Sequence, residues 1–264
     1  MGTVKRDPGS HKGENGKIAV IGGSTTIHGA PLLSALAAEA TGVDLVFVSL
    51  PHCHRWVAKN TSLNFQVHPF AGDELGHKDV APLLELLATV DTAVIGPGLH
   101  RTTSLQPLRA LIAGATCRLV LDATALQPWV LEAVTQKNAV LTPHLGELER
   151  MGLALKDIGT AAKRHQCTIH VKGTVDQIAG THGKIRKVKG GNAGLTVGGT
   201  GDALAGIIAG LLAQGITPAD ACAMATTMVK QAGHLLLEEC GYSYTAWQVI
   251  SMVPQLLSQL SPAT

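Results

Sequence analysis

The chain has 264 residues and a formal net charge of +2, with 45% apolar, 15% charged and 3% aromatic residues. This length and composition predict a single α/β domain over residues 1–264, whose core is built from aliphatic side chains rather than aromatic rings. The Lys and Arg residues are scattered, which argues against the continuous basic surface that nucleic-acid binding requires.

Short β-branched segments alternate with longer amphipathic segments, which is typical of parallel βαβ units. Strands are predicted at 17–21, 44–49, 92–95, 118–121, 139–141 and 168–171. Helices are predicted at 31–40, 80–88, 104–113, 126–136, 155–166, 200–213, 219–237 and 244–260. Two further strands, 177–179 and 184–188, flank Thr181-His182-Gly183 and predict a hairpin near a sheet edge.

The five cysteines are widely spaced and form no C-x-x-C pair, so neither a disulfide framework nor a zinc knuckle is expected. Residues 1–16 are polar and lack the apolar stretch of a signal peptide. No segment reaches the roughly 20 apolar residues of a membrane span. These features predict a cytoplasmic protein that does not enter a membrane. His52-Cys53-His54 resembles part of a metal site, but no second cluster accompanies it.

A glycine-rich segment, Gly198-Gly199-Thr200-Gly201-Asp202, directly precedes residues with the apolar spacing of a buried helix. Backbone N–H groups at a helix start have no partners within the helix, and glycines let an anion approach them closely. The segment therefore predicts a phosphate-binding site. A carboxylate such as Asp202 is unsuited to binding an anion but can accept a proton from an attacking hydroxyl. Alternatively, Thr200 or Asp202 only caps the helix.

Five predicted strands are followed by residue types that bind ligands, and ligands of parallel sheets bind beyond the carboxyl ends of the strands. These residues are Gly22-Gly23-Ser24, Gly96-Pro97-Gly98, Asp122, Thr142-Pro143-His144 and Lys172-Gly173. Lys172 either binds a nucleotide phosphate or is a solvated loop lysine. His144 suits a polar substrate, and Glu147 can favour the dipole of a helix that starts there. Neither a Walker loop nor a dinucleotide-binding glycine fingerprint is present.

Nearly the whole chain resembles the ADP- or ATP-dependent NAD(P)H-hydrate dehydratases, a branch of the ribokinase-like fold. The resemblance combines the motifs above with His11-Lys12-Gly13, Gly29-Ala30-Pro31 and Asn192-Ala193-Gly194. Its most specific part is the segment from Thr142 to Glu147 together with Gly96-Pro97-Gly98, because other ribokinase-like kinases share the final glycine motif. The resemblance implies a three-layer αβα fold with a mostly parallel central sheet and an edge hairpin.

The resemblance also implies a carbon–oxygen lyase that repairs the S form of hydrated NADH or NADPH, with ADP or ATP as co-substrate and Mg²⁺ as cofactor. By the family pattern, Asp202 is the catalytic residue. The hydrate is contacted by Ala30, Gly98, His144 and Asp202. The adenine nucleotide is contacted by Lys172, Gly173, Thr174, Val175, Asp176, Asn192, Gly199, Thr200 and Gly201. Many relatives are tetramers, so a homo-oligomer is expected.

Several positions depart from the family pattern: Thr124 stands where relatives commonly carry Asp, His100 where they often carry Gly, and residues 24–28 differ from the commonest form. Two other functions stay open. One is a small-molecule kinase of the same fold, acting on a hydroxymethylpyrimidine, a thiazole alcohol or a sugar. The other is a nucleotide-binding sensor without turnover, which Asp202 disfavours because binding alone needs no base. His144 with Gly98 favours the dehydratase.

Overall fold

The computed structural model describes residue 4, residues 6–136 and residues 138–260. Both ends of the predicted domain, which include residues 1–3 and 5 of the polar N-terminal segment, therefore lie outside the described residues. The strands of this part are β1 (Lys17–Ile21), β2 (Leu45–Ser49), β3 (Phe65–Val67), β4 (Thr92–Ile95), β5 (Arg118–Leu121), β6 (Ala139–Leu141), β7 (Thr168–Val171), β8 (Val175–Ala179) and β9 (Ile185–Lys189). They form one sheet in the order β3-β2-β1-β4-β5-β6-β7-β8-β9.

The strands from β3 to β7 pair in parallel, whereas β8 and β9 are antiparallel. The turn between β8 and β9 closes with a hydrogen bond from the N–H of Gly183 to the carbonyl of Gly180, at 2.8 Å. The predicted mostly parallel sheet and edge hairpin are therefore confirmed.

The helices of the described residues are α1 (Gly29–Glu39), α2 (Arg55–Thr61), α3 (His77–Leu87), α4 (Leu105–Gly114), α5 (Val130–Ala133), α6 (Leu145–Arg150), α7 (Ile158–His165), α8 (Thr200–Ala213), α9 (Pro218–Cys240), α10 (Ala246–Ser251) and α11 (Val253–Leu260). Successive strand residues point to opposite faces, so Val20 and Ile21 enter different cores. One core includes α1, α8 and α9, and the other includes α3, α4 and α7. The result is the predicted three-layer αβα arrangement.

Three predicted helices are shortened or interrupted in the structure, whereas the limits of the others differ by at most three residues. The helix expected at 126–136 is reduced to α5, because Pro128 disfavours helical backbone at Gln127 and because Gln136 has a left-handed φ of 65°. The helix expected at 244–260 is divided at Met252, where Pro254 supplies no N–H to the preceding turn. The helix expected at 155–166 consists of a 3-10 turn followed by α7.

Two elements were not predicted, β3 and α2. Strand β3 has only three residues, which is too short to show an alternating pattern. Helix α2 buries only Ala58, so its sequence carries no apolar stripe of helical period.

Two glycines of α8 allow this helix to approach α1 closely. A Cβ at Gly206 would collide with the carbonyl oxygen of Ser34, and one at Gly210 would collide with the hydroxyl of Thr41. Helix α8 also packs against β1, β4 and β5. These contacts hold the N-terminus of α8 in one position relative to the central strands.

All five cysteines lie within the described residues, and none of them is in a disulfide bond. Among the helices that the structure describes, none combines the length and the apolar character needed to cross a bilayer.

Candidate active site

The N-terminus of α8 presents free backbone donors, as the glycine-rich segment predicts. Gly199 precedes the helix with a φ of 95°, and no side chain caps this end. The Thr200 hydroxyl donates to the carbonyl of Val197 at 3.0 Å and so does not cap the helix either. Within the described part of the chain, the N–H groups of Gly201 and Asp202 have no acceptor. These two donors, at the positive end of the helix dipole, can bind a phosphate.

Asp202 is half-buried in the first turn of α8 and does not cap the helix. Burial and the negative charges of Asp122 and Glu147 raise the pKa of this carboxyl to about 7, although Lys172 acts in the opposite direction. A base with a pKa near neutrality can accept a proton from a hydroxyl and also release it again. The structure therefore gives Asp202 the properties required of a general base.

Lys172 joins the carboxyl groups of this site. Its Nζ atom donates to Oδ1 of Asp122 at 2.7 Å and lies 3.9 Å from Oε2 of Glu147. Burial alone would lower the pKa of Lys172, but Asp122, Glu147 and Asp202 raise it above its ordinary value. A Cβ added to Gly201 would lie 3.4 Å from Nζ, so the ammonium is next to the free N–H groups of α8. Lys172 is not a solvated loop lysine.

His144 and Glu147 cap each other at the start of α6. The N–H of Glu147 donates to Nδ1 of His144 at 3.2 Å, and the N–H of His144 donates to Oε2 of Glu147 at 3.0 Å. The imidazole side chain remains 59% exposed, whereas Glu147 is buried. The N–H of Lys172 donates to the carbonyl of Pro143 at 2.8 Å, which places His144 beside the end of β7. His144 thus has the exposure needed to contact a substrate.

A cavity of about 810 Å³ lies next to His144 and Lys172. This volume is usual for small-molecule sites. Its lining combines polar groups with aliphatic side chains such as Leu195 and Val229. Predicted site residues in its wall include His144, Lys172, Gly173, Thr174, Thr200 and Gly201. A second, more open depression, on the outer face of β8 and β9, is lined by none of the predicted site residues.

Asp176 is predicted to contact the nucleotide, but its carboxylate is fully used within the protein. Oδ2 accepts from Nε2 of His170 at 2.7 Å, and Oδ1 accepts from Nζ of Lys230 at 3.1 Å and from the N–H of Gly173 at 3.3 Å. Burial would raise the pKa of Asp176, but His170 and Lys230 keep it below its ordinary value. The ionised carboxylate therefore holds the Gly173-Thr174 turn in place.

Asn192 also lines the cavity, and its side chain forms hydrogen bonds within the protein. Its amide nitrogen donates to the carbonyl of Gly233 at 2.6 Å, and its oxygen accepts from the Tyr244 hydroxyl at 2.7 Å and from the N–H of Gly194 at 2.8 Å. Like Asp176, Asn192 uses its side chain to hold backbone groups near the cavity in place.

Two predicted nucleotide residues lie outside the lining of the cavity. Val175 is exposed at the start of β8. Gly199 is packed so closely that a Cβ there would collide with Leu33. Gly199, with its left-handed backbone, sets the direction in which α8 begins.

Ala30 and Gly98, predicted to contact the hydrate, lie side by side where β1 and β4 end. A Cβ at Gly98 would be 3.3 Å from Cβ of Ala30. Ser34, four residues after Ala30 on α1, donates its hydroxyl to the carbonyl of Asp202 at 2.9 Å. Residues four apart share a helix face, so Ala30 lies one turn from the start of α8.

The positions that depart from the family pattern make local contacts in the structure. Thr124 is buried and donates to the carbonyl of Leu99 at 2.8 Å, which an ionised aspartate cannot do. It thereby anchors the loop that contains Gly98. His100 is exposed, and its Nδ1 lies 3.1 Å from the hydroxyl of Thr102. Nε2 of His54 lies 3.1 Å from the carbonyls of Ser24 and Thr25, and so holds the divergent turn after β1.

Sequence reasoning overlooked Lys230, which borders the cavity. A signal was present, because Lys230 is one charged residue between the buried apolar residues Val229 and Ala232 of a long helix. Lysines are seldom buried unless their charge is paired.

A family model described as NAD(P)H-hydrate dehydratase matches residues 18–255. The chain is 34% identical to the ADP-dependent (S)-NAD(P)H-hydrate dehydratase of Nitrosopumilus maritimus, over 96% of this chain and 91% of that protein. It spans about half the length of the bifunctional NAD(P)H-hydrate repair enzymes that it also matches.

Solved structures agree with this match. The ADP/ATP-dependent NAD(P)H-hydrate dehydratase of Bacillus subtilis, co-crystallised with ATP and Mg²⁺, superposes with a TM-score of 0.82 at 26% identity, over 97% of this chain and 94% of that one. A ribokinase-like superfamily protein of Enterococcus faecalis gives a TM-score of 0.81 at 24% identity, with 99% and 93% of the two chains covered. The predicted ribokinase-like fold is confirmed.

Proposed function

The chain belongs to the NAD(P)H-hydrate dehydratase family, and from this premise we propose that it removes water from the S form of hydrated NADH or NADPH while it consumes ADP or ATP. The observation that carries the proposal is the position of Asp202. Its carboxyl, with a pKa of about 7, adjoins two free N–H groups at the start of α8 and the ammonium of Lys172.

In the first step, Asp202 accepts the proton of the hydroxyl on the ring carbon beside the ring nitrogen. The hydroxyl oxygen then attacks the terminal phosphoryl group of the nucleotide and displaces AMP or ADP. The N–H groups of Gly201 and Asp202, together with Lys172, stabilise the charge on this phosphoryl group. In-line phosphoryl transfer requires mainly positioning and charge stabilisation, which these groups provide.

In the second step, the phosphorylated oxygen leaves. The lone pair of the ring nitrogen expels phosphate, and loss of a proton from the adjacent ring carbon restores the dihydronicotinamide. The overall products are NADH or NADPH, phosphate, and AMP or ADP. The same site is thus a kinase in its first step and a lyase in its outcome.

The proposal places the hydrate against Ala30, Gly98 and His144, and the nucleotide in the 810 Å³ cavity. Gly98 and Ala30 leave room for a flat ring because neither carries a side chain beyond Cβ. His144 has an exposed imidazole that can hydrogen-bond a polar group of the hydrate. Thr174 and Thr200, which line the cavity, can hydrogen-bond the nucleotide.

Mg²⁺ is part of the proposal, as a partner of the nucleotide. In the part of the chain that the structure describes, no three carboxylate, imidazole or thiolate groups converge as a metal site. Nucleotide-bound Mg²⁺ needs fewer protein ligands, because phosphate and water oxygens fill most of its coordination shell. Asp122 and Glu147, which meet at Lys172, are the carboxylates that would hold it with the phosphates. Bound there, Mg²⁺ would neutralise phosphate charge.

The test is to mix chemically hydrated NADH with the protein, Mg²⁺ and either ADP or ATP. We expect recovery of the dihydronicotinamide absorbance together with an equal amount of released phosphate. Asp202→Asn, which keeps the shape of the side chain but cannot accept the proton, should bind nucleotide and lose turnover. A stable phosphorylated product without recovery of the absorbance would indicate a small-molecule kinase, and nucleotide binding without any product would indicate a sensor.

Three further properties stay predictions: one domain over residues 1–264, a cytoplasmic location and assembly into a homo-oligomer. Size-exclusion chromatography with light scattering tests the last of these.

A further inference from the structure

Lys230 places a buried positive charge in the wall of the 810 Å³ cavity. Its side chain extends from α9 and is 10% exposed. Around Nζ lie the carbonyl oxygens of Thr174, Gly173 and Val188 at 3.0, 3.3 and 3.3 Å, and Oδ1 of Asp176 at 3.1 Å. Four acceptors use all three hydrogens of the ammonium. Lys230 therefore has no donor left for a phosphate, although it borders the cavity.

These four oxygen atoms belong to separate segments of the chain. Gly173 and Thr174 form the turn after β7, Asp176 is in β8, and Val188 is in β9. Asp176 in turn accepts from Nε2 of His170 in β7 at 2.7 Å. The ammonium thus cross-links β8, β9 and the turn to α9, and Asp176 extends this link to β7.

The aliphatic part of Lys230 supports a second wall of the cavity. A Cβ added to Gly191 would lie 3.2 Å from Cγ of Lys230, and one added to Gly190 would lie 3.8 Å from its Cβ. Gly190 and Gly191 both line the cavity. Both the turn after β7 and the loop after β9 therefore rest on this one side chain.

We infer that Lys230 is a positioning residue, a built-in monovalent cation that fixes the Gly173-Thr174 backbone in the shape that receives the nucleotide. Carbonyl oxygens that point at one centre repel one another, and a cation among them removes that repulsion. Such all-oxygen surroundings also suit K⁺, and ammonium is a cation of similar size. The inference rests on the proposed function in one respect, namely that the cavity binds an adenine nucleotide.

The experiment measures ADP binding by calorimetry for the wild-type protein, Lys230→Ala and Lys187→Ala. Lys187 is an exposed lysine of β9 outside the cavity, so its variant should bind as the wild type does. Lys230→Ala should bind ADP roughly tenfold to a hundredfold more weakly, the loss expected for hydrogen bonds to a charged group. In turnover assays the KM for ADP should rise by a similar factor and by more than kcat falls, because Lys230 contacts the turn that receives the nucleotide and not the reacting groups.

Rescue by small cations separates positioning from a general structural role. K⁺, NH₄⁺ or propylammonium should enter the space left in Lys230→Ala and restore much of the ADP affinity. Tetramethylammonium carries the same charge, but its four methyl groups keep that charge away from the carbonyl oxygens, so it should restore none. Equal ADP affinity in Lys230→Ala and wild type, or a folded variant that no small cation rescues, would overturn the inference.

A double variant covers the case in which Lys230→Ala does not fold. Lys230→Met with Asp176→Asn removes both charges, so no buried charge is left unpaired. It should fold and still bind ADP more weakly, because the carbonyls of Gly173 and Thr174 lose their cation. Wild-type affinity in the double variant would overturn the inference. Absence of binding of both ADP and ATP by the wild-type protein is a separate result, which would overturn the proposed function and the inference with it.

Discussion

Replacing Asp202 by Asn should stabilise the folded protein while it abolishes turnover. The carboxyl has a pKa of about 7 in the folded protein, against an ordinary value of 3.8. Below the ordinary value it is protonated in both states and has no effect on stability. As the pH rises from there to about 7, the unfolded chain loses this proton more readily than the folded protein does. The wild type therefore loses stability over this range, and the loss is constant above it.

The size of the effect follows from the same values. The difference between 3.8 and about 7 is about three pH units, and each unit corresponds to about 1.4 kcal/mol. The ionised carboxylate thus destabilises the folded protein by up to about 4 kcal/mol above pH 7. An asparagine amide also loses contact with water at this half-buried position, so we expect about half of this gain, about 2 kcal/mol, for Asp202→Asn.

Urea unfolding of both proteins at several pH values between about 4 and about 8 tests this prediction. Near pH 4 Asp202→Asn should be less stable than the wild type by up to about 2 kcal/mol, because only the cost of burying the amide remains. The difference should change sign as the pH rises and level off in favour of the variant above about 7. Asp220→Asn serves as a control of opposite sign, because a hydrogen bond of 2.9 Å from Arg186 lowers the pKa of Asp220. That variant should lose stability. If the difference in the free energy of unfolding between Asp202→Asn and the wild type does not change with pH, the reasoning is refuted.

Two further predictions concern the same end of α8. The kcat/KM for the hydrate should rise with pH and level off above about 7, because only the ionised carboxylate of Asp202 accepts the proton; a profile that is flat through pH 7 would contradict this role. Gly199→Ala and Gly215→Ala both place a side chain at a positive φ, of 95° and 85°, but only the first Cβ would also collide, with Leu33. In urea unfolding, Gly215→Ala should cost about 1–2 kcal/mol and Gly199→Ala about 1–3 kcal/mol more; equal costs would contradict the proposed collision.

Much of the fold could be predicted because its signal is local. The parallel strands are buried on both faces and read as short apolar runs, and the apolar period of α8 predicted its limits at 200 and 213, as observed. The predicted limits of a helix were wrong where a local feature opposes its apolar period, as Pro128 does before α5. Strand β3 and helix α2 carry too few buried residues to show a period at all.

Part of the site could also be predicted from the sequence, because the topology brings the carboxyl ends of parallel strands to one edge of the sheet. From this rule alone Asp122 and Lys172 were expected to lie together, and the structure joins them by a hydrogen bond of 2.7 Å. Asp202, at the start of α8, lies within electrostatic reach of both. The residue types at these positions determine what the site can do: a base, a cation and free backbone donors.

What each residue does there was decided only by the tertiary structure. The pKa of Asp202 depends on burial and on carboxylates that lie 80 and 55 positions earlier in the chain, Asp122 and Glu147. Asp176 and Lys230 neutralise each other across 54 positions, so the carboxylate of Asp176 is engaged within the protein, and Lys230 was overlooked. A sequence pattern records which face of an element is buried. Electrostatic and hydrogen-bond partners depend instead on distances of a few ångströms between residues far apart in the chain, and only the packed fold sets those distances.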